Sequence, residues 1–188
     1  GGAMQRRATL QFGAGLTPGA TGQMGSGIGA AVSRGTISLL EPTDIISHTG
    51  ETRTVDGVDL EFQIVSGSEA PAELNVYIAP AKTFLAAEIA TCTMHNILTP
   101  RGAKVRDTHA WARYLDDAVQ IYAPKSDIVA SSHCWPMYGN EEGTAWLAAH
   151  RDNYRYLHDQ TVRQMNRGST MAEIAEEVTL PSELGDEW

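Results

Sequence analysis

Carboxylates and imidazoles placed where apolar runs stop are the residues of this sequence that could do chemistry. Glu69 and Glu73 lie in Gly67-Ser-Glu-Ala-Pro-Ala-Glu73, between two apolar runs, where a loop can present both side chains. The same spacing also suits a solvated turn. Glu88 closes the apolar stretch 83–87. An unpaired carboxylate is costly to bury there, so it has a partner, holds a metal, or sits at an exposed strand end. His133, in Ser131-Ser-His133-Cys-Trp-Pro136, follows the short apolar stretch 127–130. A His at the C-terminal edge of a strand is well placed for a site in a layered α/β protein, and equally for a hydrogen-bonded structural role. Two carboxylates and one His form an oxygen/nitrogen donor set that suits a divalent ion such as zinc. No second His cluster accompanies it, because His48, His95, His109, His150 and His158 are scattered. Between the second and third clusters stand Asn96 and Arg101. A guanidinium beside an amide donor is what a tetrahedral oxyanion needs. The alternative is an Arg facing solvent near Asp107.

The elements that must position these residues follow from patterning. Asp56-Gly57 is a hairpin turn signal between strands 51–55 and 58–65. Within the second of these, Val58, Leu60, Phe62 and Ile64 alternate with polar residues, as the buried face of a half-buried strand should. Further strands are expected at 36–40, 74–78, 83–87 and 127–130. Asp107 or Thr108 caps a helix reaching about Tyr122. A long amphipathic helix is expected over 146–165, and Thr170-Met-Ala-Glu173 is a capping box that opens a shorter one, closed by Pro181.

Composition bounds the function. The 188 residues are enough to bury a core, and 14 basic against 23 acidic residues give a net charge of −9. That balance argues against a general nucleic-acid binder or a polybasic membrane-surface protein. No run of about 18 apolar residues suggests a transmembrane segment, and the N-terminus lacks the pattern of a signal peptide. Ten of the 18 glycines fall in the first 35 residues. Segment 12–35 reads as a covering loop. Its Gly25, Gly27 and Gly29 lack the preceding strand and Lys-Ser/Thr tail of a phosphate loop. Cys92 and Cys134 are expected as two free buried thiols, one disulfide being the alternative.

The stretches RRATLQFG, GETRTVDGVDLEFQ, GSEAPAEL, HN…RGAKVRD, SSHCWPMYGN and YRYLHDQTVRQMNRG together resemble the alkyl sulfatases, the metallo-β-lactamase-fold enzymes that hydrolyse alkyl sulfate esters. The resemblance covers nearly the whole chain. It implies an α/β (α+β) fold: residues 1–137 as the C-terminal half of a metallo-β-lactamase-like αββα sandwich, and 138–188 as the start of a helical dimerisation domain. It implies two zinc ions in the intact site, with Glu69, Glu88 and His133 as ligands and Glu73 as a competitor for the place of Glu69. It assigns Asn96 and Arg101 to the sulfate group. It also implies a homo-oligomer, a periplasmic or secreted location, and an alkyl sulfate substrate. The family's HxHxDH ligand motif is absent, so the resemblance implies an internal fragment, expected to bind zinc weakly and to be inactive alone. A non-catalytic assembly module, or a hydrolase of another ester or a lactam, are the competing readings.

Overall fold

A computed structural model describes residues 2–22, 25, 35–36 and 38–185. The chain divides into two compact units, 1–45 with 98–105, and 46–97 with 106–188. In the first, helix α1 (Gly2–Gln11) precedes a series of turns. No sequence pattern announced this helix. Of the strand expected at 36–40, residues 36 and 38–40 adopt no regular structure. Gly27, Gly29 and much of the expected covering loop lie outside the described residues.

The second unit is a mixed α+β structure. Its six-stranded sheet runs in chain order: β1 (Thr52–Val55), β2 (Val58–Ile64), β3 (Leu74–Ile78), β4 (Thr83–Leu85), β5 (Ile128–Ala130) and β6 (Met137–Tyr138). Asp56 and Gly57 both take positive φ, 50° and 81°, which makes the tight turn that pairs Val55 with Val58. All neighbours are antiparallel except β4 and β5, which are parallel. Parallel strands need a long crossover. Helix α2 (Thr108–Asp117), continued by a π-helical turn over Ala118–Tyr122, lies within it. Asp107 caps α2 by accepting from the Ala110 amide at 2.9 Å, as expected. Helix α3 (Asn140–Arg167) starts six residues before the expected helix, and α4 (Met171–Glu177) opens on the anticipated capping box. A short α5 (Ser182–Gly185) follows.

The helix-covered face of the sheet is opposite to the one its alternation suggested, although Phe62 of the expected face is also buried. The helix-covered face carries Gln63, Asn75, Tyr77, Phe84 and Val129. Leu60 and Ile64 stay half-buried, and Val58 is exposed. The polar members of the covered face are partly paired, although Asn75 Oδ1 has no hydrogen-bond partner among the described residues. Gln63 donates to Tyr114 O at 2.9 Å and accepts from Asn75 Nδ2 at 2.9 Å. Lys125 donates to Glu61 at 2.7 Å and lies over the Tyr77 and Tyr122 rings at 4.5 and 4.8 Å. Hydrogen-bonded and charge-paired groups can therefore occupy positions that an apolar pattern would not mark. Trp111 stacks on Tyr154 at 4.3 Å and donates to Ile89 O at 2.9 Å, joining α2, α3 and the loop after β4.

His150 is fully buried on α3. Its Nδ1 lies 2.9 Å from Trp146 O, and its Nε2 lies 3.1 Å from the Thr91 amide and 2.9 Å from the Thr91 carbonyl. Burial pushes its pKa below the ordinary 6.5. The unfolded state therefore binds the proton first, so stability is full above about 6.5 and is lost as pH falls below it. Thermal unfolding at about pH 7.5 and pH 5.5 is expected to show a drop in Tm that is smaller in His150→Gln; equal drops would refute this role.

The cysteines correct the expectation of free thiols: Cys92 and Cys134 form a disulfide, 42 residues apart. The bond joins the loops that leave β4 and β5, whose ends the parallel pairing has brought together. A loop of that length corresponds to about 4 kcal/mol in the chain-entropy account. Reduction, or Cys92→Ser with Cys134→Ser, is expected to lower Tm by about 10 °C. An unchanged Tm in calorimetry with dithiothreitol would contradict it.

Candidate metal and oxyanion site

The parallel pair continues past its strands. Ala86 N donates to Ala130 O at 2.7 Å, and Ser132 N to Ala87 O at 2.8 Å. The chain then leaves both strands abruptly. Ala87 and His133 take the left-handed region, with φ of 42° and 61°. Non-Gly residues held there are strained, and such strain concentrates at functional sites. These two turns set Glu88 and His133 side by side, with His133 Nε2 bonded to Glu88 Oε1.

Glu69 arrives from the β2–β3 loop. That loop is closed by Val65 N to Glu73 O at 3.1 Å and Gly67 N to Ala70 O at 3.0 Å, with Gly67 at φ 81°. Ligand atoms of Glu69, Glu88 and His95 all lie within 4.8 Å of one another. The residues at hand therefore fit a divalent cation: carboxylate and imidazole donors converge, and zinc accepts both. Glu69 and Glu88 thus come together and His133 touches Glu88, but the imidazole that completes the convergent group is His95 rather than His133.

His95 was missed. It stands seven residues past Glu88 in an irregular loop, and no spacing rule marks it. Its ring shows how the structure prepares it. Nδ1 is 3.0 Å from Asn96 O, a contact that requires Nδ1–H to donate and leaves Nε2 for the cluster. Nε2 lies 3.9 Å from Glu88 Oε2. The His95 amide donates to the Tyr154 hydroxyl at 3.1 Å, which ties this loop to α3.

Glu73 plays a different part from Glu69. Its Oε1 accepts from Glu88 N at 2.7 Å and its Oε2 from Ala70 N at 2.9 Å. Both oxygens are thus engaged in holding the backbone beside Glu69 and Glu88. Burial raises its pKa above the ordinary value against these two hydrogen bonds, and the Glu69 and Glu88 charges add to the rise.

Asn96 lies beside His95 on the wall of a cavity of about 340 Å³, formed by the 91–96 loop and His133. Its Oδ1 accepts from Arg106 at 2.7 Å. Arg101 belongs to the other unit, where its guanidinium lies 5.7 Å from the centre of the Phe12 ring.

No protein-family model matches the chain. It is 47% identical to a linear primary-alkylsulfatase of Pseudomonas sp. over 98% of its own length. It is 43% identical to an alkyl/aryl-sulfatase of Saccharomyces cerevisiae over 100%, and 42% identical to an (R)-specific secondary-alkylsulfatase of Pseudomonas sp. over 100%. The matches occupy 27%, 29% and 29% of those proteins. The solved structure of the stereoselective inverting sec-alkylsulfatase Pisa1 from Pseudomonas sp. superposes on 97% of the chain and 29% of its own, with a TM-score of 0.89 and 42% identity. In sequence and in fold, this chain is homologous along its whole length to one segment of the alkylsulfatases, spanning less than a third of those three relatives.

Proposed function

We propose that these residues supply part of the metal centre and the oxyanion contacts of a zinc-dependent alkylsulfatase acting on alkyl sulfate esters. The observation that carries this reading is the convergence of Glu69, Glu88 and His95, with His133 on Glu88. Glu69, Glu88 and His133 are the proposed ligands, with His95 presenting Nε2 to the same point. A zinc ion held there would supply Lewis acidity and lower the pKa of water at the site. Asn96 would donate its amide N–H to a sulfate oxygen; Arg101 is proposed for the sulfate group on the family resemblance alone. The Cys92–Cys134 bond holds the His95 and His133 loops together.

Isothermal titration of the 188-residue chain with zinc is expected to show binding that falls at least about tenfold in Glu88→Gln. Equal affinity in the variant would remove Glu88 from the centre. Since these residues hold no HxHxDH motif, the chain alone is expected to release no measurable sulfate from dodecyl sulfate, with or without zinc. Robust release that vanishes in Arg101→Ala would show that the catalytic groups have been misplaced.

A second proposal concerns self-association. The half-exposed Leu60 and Ile64 on the sheet, and the exposed Val162, Met165 and Met171 beyond the core, support it. Light scattering is expected to report an oligomer; a monodisperse monomer would refute it.

A further inference from the structure

Arg106 is 8% exposed, yet its guanidinium is surrounded by the residues of the site. Nε donates to the Glu69 carbonyl at 2.7 Å, and Nη2 bonds to Glu69 Oε1. Nη1 donates to both oxygens of Asn96, the carbonyl at 2.9 Å and Oδ1 at 2.7 Å. One planar group thus grips backbone and side chain of two residues from different loops. The Asn96 carbonyl is also the acceptor for the His95 ring, so the same contact reaches His95.

We propose that Arg106 is a positioning residue that holds Glu69, Asn96 and, through the Asn96 carbonyl, His95 in one fixed relation. The chemistry gives each contact a consequence. Arg has donors alone, so the Asn96 atom facing it is the oxygen, and the amide nitrogen stands at the opposite end. That orientation makes Asn96 a donor toward an anion rather than a second negative end. One Glu69 oxygen is committed to Arg106, and the other is left to the cluster. A guanidinium can do this because its donors form a rigid fork; a Lys ammonium carries the charge from one point and cannot hold four acceptors in a plane.

Arg106 is itself held on a stiff base. Its amide donates to Ile97 O at 3.0 Å, and the next residue, Asp107, caps α2 and donates to Gly67 O at 3.0 Å. The fork therefore projects from the start of a helix toward the β2–β3 loop and the 91–97 loop at once. Nothing in its spacing set Arg106 apart from the other arginines.

The inference rests on the proposed metal and oxyanion site, and its test separates the two. Zinc titration is combined with NMR of the Asn96 side-chain amide, identified by its loss in Asn96→Asp. Arg106→Lys, with Arg106→Gln as a second variant, is measured where circular dichroism matches the wild type. Zinc affinity is expected to fall about 10–100-fold, as it does when partners that orient metal ligands are removed. The Asn96 amide signals are expected to move, without zinc and with it. A folded variant with wild-type zinc affinity, or with unmoved amide signals, overturns the positioning role. A wild-type chain that binds no zinc overturns the metal reading instead. Arg106 is then judged on the amide signals alone: movement supports the role and its absence overturns it.

Discussion

The parallel pairing of β4 with β5 is the constraint on which the rest of the structure depends. Parallel neighbours end at the same edge, so the loops after Leu85 and Ala130 start side by side. Those loops bear most of the residues at that edge: Glu88, Cys92, His95 and Asn96 on one, His133 and Cys134 on the other. The core serves this arrangement. Trp111 holds the loop after Glu88 by its indole N–H, and Tyr154 and His150 hold the same loop from α3. These are hydrogen bonds between buried side chains and an irregular backbone, which has no sheet or helix ladder of its own to satisfy it. The site loop is therefore irregular without being loose.

Charge is balanced locally rather than spread. Three carboxylates, Glu69, Glu73 and Glu88, meet in a small volume. Each is answered in a different way: Glu69 by the Arg106 guanidinium, Glu73 by two backbone amides, Glu88 by the His133 ring. The raised pKa of Glu73 shows the cost of burying a charge among like charges. Such a concentration of negative donors, turned toward one point together with imidazoles, is a site that a cation would relieve.

The elements legible in the sequence were those with local signals. The Asp56-Gly57 turn, the Asp107 cap and the Thr170–Glu173 box each depend on residues within four positions, and each forms as expected. Glu69, Glu88 and His133 were visible because each ends an apolar run or sits in the loop between two. His95, Arg106 and the Cys92–Cys134 bond were not, because their roles exist only once β4 and β5 have paired. The face of β2 that became the core was misjudged for a related reason. Gln63 is buried because Asn75 and the Tyr114 carbonyl satisfy it, and neither partner is near it in sequence.

The order in which the chain can assemble follows from the same parallel pair. Strands β1 to β4 are joined by short connections and can form as successive hairpins. Pairing β5 with β4 requires the long crossover to close, and closing it loses entropy before any contact rewards it. The β4–β5 edge is therefore the costliest part of the sheet to close. Cys92 and Cys134 come within bonding reach only after that closure, so their oxidation is a covalent record that the crossover has found its native register. Once made, the bond keeps unfolded chains from losing that record, and a chain that opens at this edge closes again onto the same partner strand.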